Sequence, residues 1–578
     1  MKKKIIKKNM DKQLWLACKG GEIEEVIKLL QNTQISPNWQ DCDSKTPLVI
    51  ACQNGHIDIV KLLLNDNRVD INQADNLFGY TPLYVACWKG HLEIAKLLSN
   101  DQRIDINYSK CGRTPFYIAC QSGHIKVVEL LLNDKRVDIT KAKNEGGFTP
   151  LYIACENGHT EIVELLLNDK RVDINKASND GVTPFWIVCN NGHIEIVKLF
   201  LNDNRVDVNK TSKTDKTPFY VACENGYIEI VKLLLNNERV DIYEATNNTT
   251  PFWVACSRGH IEIVKLLLNE QRVDINKAVN NNATLFWIVC CNGYIEIVKL
   301  LLNDKRIEIN KLDDDSMPPF YIACEKGSID IVKLLLNDKR IHVNKARNGL
   351  TPLYITCWKG YIEIVKLLLN DKRVDINQAN KDGVTPFYSA CENGKIEIVK
   401  LLLNDERVDV NRNNTTPFWI ACKKGHLEIV KLLLNDKRVD LNKPGNYLGT
   451  PFYVACKEGR IEIVKLLLHD KRVDINKVIY ENDWISLYWA CDIGDLDIIE
   501  HILASGREVN VNIKDDKGET AIDIAKRTNE KKGFLERGEK RKRNFPKIVE
   551  LLESFERNPN TTRFKLRLKL GFAGKKLY

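Results

Sequence analysis

The chain is 578 residues long, 44% hydrophobic and 28% charged, a composition that excludes a largely disordered chain. Its longest apolar run, Leu285 to Cys291, falls far short of the ~18 residues a membrane helix needs, which excludes an integral helical membrane protein. The formal charge of +9 hints at an anionic partner. The opening Met1–Met10 is basic but lacks an apolar core, so it is not read as a secretory signal. Without export, the 18 cysteines are expected as reduced thiols in the cytoplasm, with the nucleus open.

Length alone would suggest about four domains, but internal repetition overrides that division. Thr81-Pro82-Leu83-Tyr84-Val85-Ala86-Cys87 returns at Thr114–Cys120 and again at Thr149–Cys155. With the Thr position taken as the slot, sixteen units start at residues 12, 46, 81, 114, 149, 183, 217, 250, 284, 318, 351, 385, 416, 450, 485 and 520. A first helix is predicted from each slot, because a Thr hydroxyl caps an N-terminus and the following Pro suits the first helical position. It ends nine residues on at a Gly, present in fifteen of the sixteen units, where a left-handed cap needs no side chain. The second helix, such as Ile228–Leu235, is too apolar for one buried stripe and must be covered by neighbours on two sides. Glu229 and Lys232 represent its solvent stripe, an i,i+3 pair.

A period near 34 with this Thr-Pro-Leu signature resembles the ankyrin repeat over about residues 12–555. The resemblance implies an all-α ankyrin-repeat solenoid of helix-turn-helix units joined by hairpin-like loops. Two columns depart from the family. The His of its signature is aromatic here in fourteen units, Trp15, Tyr84, Trp186 and Trp419 among them, and these are expected to pack between repeats with a hydrogen bond to a neighbour. The turn after the second helix becomes Asn-Asp-Lys-Arg-Val-Asp-Ile-Asn, as at 168–175. There Asn or Asp is expected to take the left-handed cap, and the Arg to pair with the Asp two residues beyond it.

Fifteen cysteines share one column, from Cys18 to Cys491, and read as compact core groups. At helix packing distances of about 9–10 Å they are too far apart for a disulfide or a zinc site. Seven of ten histidines follow the Gly, but Tyr227, Ser328, Lys395 and Arg460 fill the same column, which is incompatible with a metal or catalytic role. No phosphate-binding loop, nucleophile elbow or zincin motif occurs, so neither an enzyme nor a cofactor is expected.

The positions that vary between units are those just before the slot and the two before the Gly. They include Tyr80, Arg113 and Phe148 in the first set, and Trp88, Lys89, Arg258, Trp358 and Lys359 in the second. In the family these positions lie on the hairpin tips and on the inner-helix face of the concave groove. The resemblance therefore implies a scaffold or adaptor that binds other proteins, expected as a monomer. Trp88 and Trp358 are either interface anchors or packed along a neighbouring helix.

Thr284-Leu285 loses the proline, Pro318-Pro319 loses the hydroxyl, and the step from 385 to 416 shortens the tip near Asn411–Asn414. A soft spot or bend is expected around 280–330. Residues 1–11 read as a basic extension. The last unit carries a basic insert at about 527–545 with the cluster Lys540, Arg541, Lys542 and Arg543, followed by a basic capping tail over 556–578. Thr562–Leu570 alternates in a way that fits a strand or a capping segment. The basic run fits a solvated loop, a nuclear address, or a contact with nucleic acid or an acidic membrane. Residues 1–12 carry +5 and 526–578 carry +11, leaving −7 for 13–525, so the anionic-partner hint belongs to the ends.

Overall fold

The computed structural model describes residues 2–76, 79–109, 112–242, 249–270, 275–276, 284–312, 317–412, 415–445, 449–477, 485–530 and 544–572. These hold thirty-three helices and no strand beyond two isolated bridges, Arg347 with Leu350 and Gly445 with Gly449. Fifteen helix pairs run from Lys2–Gly20 with Ile23–Leu30 to Ser486–Ile493 with Leu496–Ala504. A sixteenth pair, Ala521–Glu530 with Phe545–Arg557, precedes the terminal helix Pro559–Lys569.

Each pair starts as its residues dictate. Thr81 lies in extended backbone and its hydroxyl accepts from Tyr84 N at 3.2 Å, with Pro82 at the first helical position. The same cap recurs at Thr114, Thr183 and Thr416. Thr284 still caps Trp287 N without its proline, whereas Pro318 and Ile485 provide no side-chain cap. The first helices end at glycines in the left-handed region, as at Gly192 (φ 83°) and Gly360 (φ 92°).

The chain divides into two compact units, 1–280 and 281–578, a division unmarked in the repeat spacing. Within residues 1–280, successive first helices such as Pro82–Lys89, Pro115–Ser122 and Pro150–Glu156 pack side by side, and the second helices form a parallel layer behind them. Residues 281–578 repeat that two-layer arrangement up to Ala521–Glu530. In both, the core lies between layers. The Ile and Val at the centre of each second helix, such as Ile230 and Val231, are fully buried, as are the small Ala and Cys of each first helix.

Three expectations change. The first helix runs Lys2–Gly20, so residues 2–11 continue it and do not stand apart. The turn after the second helix is not closed by a left-handed Asn or Asp: Asn65 is right-handed helical and Asp101 extended. Its closure comes instead from the Asp, whose carboxylate accepts the amide of the Arg two residues on, as Asp66 does from Arg68 at 2.9 Å. The alternating segment 562–570 is helical, because Thr562 and Leu566 turn to one side and bury against the last repeats while Phe564, Lys565 and Leu568 face out. The tip residues 413–414 and parts of the expected soft spot, 277–283 and 313–316, lie outside the described residues.

Candidate functional site

Most recurring side chains are occupied in joining one repeat to the next. Arg68 pairs with Asp66 at 2.6 Å and donates to the Leu30 carbonyl of the preceding repeat at 2.8 Å. The pattern returns as Arg171 on Asp169 and Leu132 O, and as Arg407 on Asp405 and Leu369 O. The Arg therefore pairs with the Asp two residues before it and not two beyond, because only that Asp shares its turn. This ladder is more than a row of exposed ion pairs, since each guanidinium closes the free carbonyl end of a neighbouring helix. The Arg68 guanidinium holds the Asp66 carboxyl below the usual carboxylate range, mainly through the side-chain hydrogen bond, and Arg171 does the same to Asp169.

The second ladder was not anticipated from the turn sequence. Asn72 Nδ2 donates to Arg103 O at 2.8 Å while its Oδ1 accepts from Asp105 N at 2.7 Å, so one amide pairs both ways with the next repeat's backbone. Asn38, Asn175, Asn377 and Asn442 do likewise. The available signal was the recurrence of this Asn at a fixed offset from the slot, since only an amide carries both donor and acceptor for such a pair.

The remaining columns are also structural. Each His after the Gly reaches back to a carbonyl of the preceding first helix, as His124 Nε2 does with Trp88 O at 2.9 Å and His426 with Glu392 O at 2.9 Å. The Gly is required twice over, by its φ and because a Cβ on Gly123 would sit 2.6 Å from the His159 ring. The aromatic column bonds forward as expected: Trp15, Trp186 and Trp419 donate to the carbonyls of Lys45, Lys216 and Gly449 at 2.7–3.0 Å. Trp253 and Trp287 differ, with buried indole nitrogens that find no partner among the described residues. The column thiols are all buried, and burial pushes Cys18 up to about 12 and raises Cys52, Cys120 and Cys391 as well. Cys42 is exposed, and Cys111 lies outside the described residues.

The variable positions fall into two groups. Tyr80, Trp88 and Lys89 come together. The Tyr80 ring stacks on Tyr84 at 4.6 Å and lies 5.9 Å from Trp88, whose opposite neighbour is the Lys89 ammonium 4.4 Å from the ring centre. Trp88 is 40% exposed, and with Tyr80, Lys45, Gln53, Asp43 and Asp75 it lines a cavity of about 340 Å³. Its backbone carbonyl is held by His124, so the indole is presented from a fixed point. Trp358 is 44% exposed and carries Lys359 4.8 Å above its ring, the same local arrangement in the other unit.

Arg113, Phe148 and Arg258 are engaged within the fold. Arg113 is half-buried, with its guanidinium beside the Tyr84 side chain of the preceding repeat. Phe148 is half-buried and stacks on Tyr152 at 4.7 Å. Arg258 is exposed but paired with Glu224 at 3.2 Å, which also holds Lys216 at 2.6 Å. The cluster Lys540, Arg541, Lys542 and Arg543 lies outside the described residues. Among the described residues, one group brings three potential metal-ligand atoms together, Asp41, Cys42 and Asp43. Asp41 there already accepts from Asp43 N and Lys45 N.

Paired helices stacked in two layers, each capped by its own Thr and joined to the neighbouring pair by side-chain ladders, define a helical repeat protein. A family model described as ankyrin repeats (3 copies) matches nine overlapping segments: residues 14–110, 102–178, 170–246, 236–313, 285–380, 320–414, 372–445, 390–479 and 452–535. The chain belongs to the ankyrin-repeat family. Ankyrin repeats are generally protein–protein interaction modules and typically non-catalytic.

Proposed function

We propose that this protein is a non-catalytic scaffold or adaptor that binds partner proteins through the groove face of its first helices and the adjoining hairpin tips. The observation that carries the reading is Trp88: in a repeat whose recurring side chains are tied to neighbouring repeats, this large indole stays 40% exposed beside Tyr80 at a cavity edge. Partly exposed Trp and Tyr on a rigid backbone are the side chains that most often dominate interface energies. Trp358 with Lys359 offers a second anchor of the same kind. The unpaired thiols among the described cysteines support a reducing compartment, cytoplasmic or nuclear.

The test is cross-linked capture by the full chain followed by mass spectrometry, comparing the wild type with Trp88→Ala and Trp358→Ala. Partners should be lost from at least one variant at unchanged melting temperature. A fall in melting temperature with undiminished capture would make the indoles packing residues and remove the reading.

A further inference from the structure

The two most exposed large apolar side chains among the described residues lie on one helix. Phe564 is 63% exposed and Leu568 51%, one helical turn apart on the terminal helix Pro559–Lys569. Thr561, Phe564, Lys565 and Leu568 share the outward face, while Thr562 and Leu566 on the opposite face are buried against the last repeats. The helix is thus held to the fold by one stripe and presents a second to solvent. Arg563, Lys565, Arg567 and Lys569 make it wholly basic, and residues 559–578 contain six Lys and Arg and no acidic residue.

Two of those cations also anchor the helix: Arg563 donates to Leu503 O at 3.4 Å and Arg507 O at 3.3 Å, and Lys569 pairs with the buried Glu500. Lys565 stays exposed between the two apolar side chains. No described helix is long and apolar enough to cross a membrane.

We propose that this outward face is a docking surface for an anionic lipid bilayer, with Phe564 and Leu568 entering the headgroup–acyl boundary and the basic side chains meeting lipid phosphates and carboxylates. Cations alone would serve nucleic acid equally well; the exposed Phe and Leu decide between them, because apolar side chains gain by leaving water for hydrocarbon and find no such phase along a phosphate backbone. The pairing of an apolar stripe with flanking cations is the chemistry of interfacial helices. The site is independent of Trp88 and the reading built on it.

The test is co-sedimentation of the full-length chain with phosphatidylcholine vesicles, with and without phosphatidylserine, alongside binding to duplex DNA. Binding should require phosphatidylserine and weaken at high salt. It should fall by more than about tenfold in Phe564→Ser/Leu568→Ser and about fivefold per unit charge in Lys565→Glu, with melting unchanged in both. Trp88→Ala should bind vesicles normally, which separates this site from the partner surface. Absence of vesicle binding overturns the proposal. So does binding indifferent to the double serine variant, or DNA binding as tight as vesicle binding and equally indifferent to it.

Discussion

An interior repeat and the C-terminal end solve the same problem with different residues. In the interior, Arg171 closes Leu132 O of the preceding repeat at 2.9 Å, and Asn175 pairs with the backbone of the following one through Arg205 O and Asp207 N. At the end, the unit starting at Ile485 lacks the hydroxyl cap, Ser505 stands where the turn Asp would be and accepts the Arg507 amide at 3.2 Å, and the Arg507 guanidinium bonds carbonyls alone, Asp470 O at 3.0 Å and Val473 O at 2.6 Å. Among the described residues it is Arg563 of the terminal helix that reaches Leu503 O, the counterpart of Leu132 O. The fold therefore depends on closing each helix end, and any cation with suitable geometry serves.

The largest effect should come from overfilling an interior junction. Gly226 and Gly293 have nearly the same backbone, φ 82° and 83°, but a Cβ on Gly226 would lie 2.6 Å from the His260 ring while one on Gly293 meets nothing within 4 Å. Gly226→Ala should cost about 3 kcal/mol, strain plus overpacking, and Gly293→Ala about 1 kcal/mol, strain alone. Urea unfolding distinguishes them, and equal losses would show that the His contact contributes nothing.

At the end, Lys569→Met leaves the Glu500 carboxylate buried without its cation and should cost about 2 kcal/mol, tempered by the exposure of the lysine itself. The expected signature is faster hydrogen exchange in Leu496–Ala504 with the interior repeats unchanged. Protection that stays as in the wild type would mean the terminal helix does not cap the array.

The smallest expected effect is the acid response of the spine. Asp66, Asp169, Asp405 and their counterparts have folded pKa values below their unfolded ones, held down by the neighbouring Arg. A depressed carboxyl adds stability that is complete above the unfolded value near 4 and is lost as pH falls through the folded one. These pairs are largely exposed, so each adds little and salt should reduce it. Melting temperature should decline below about pH 4 more steeply at low ionic strength than at high.

The frame was legible because each part of it repeats. Thr-Pro starts, Gly stops and the buried cysteine column each follow from one local requirement repeated along the chain, and the structure keeps them. What could not be read were choices among equivalent neighbours. Arg68 has an Asp two residues to either side, and only the turn geometry selects Asp66. Thr562–Leu570 has a two-residue alternation that a helix also satisfies once Thr562 and Leu566 are buried. The variable positions pointed to a surface, but only the packing separated Arg113, half-buried beside Tyr84, from Trp88, which is left exposed.

That division between side chains that join repeats and side chains that face outward is tested most directly by melting two single variants of one repeat. Asn72→Ala removes two inter-repeat hydrogen bonds and should lower stability by about 1.5 kcal/mol, visible as a fall in melting temperature. Trp88→Ala should leave the melting temperature within the error of the wild type. The reverse order, a stable Asn72→Ala and a destabilised Trp88→Ala, would contradict the assignment of ladder and surface.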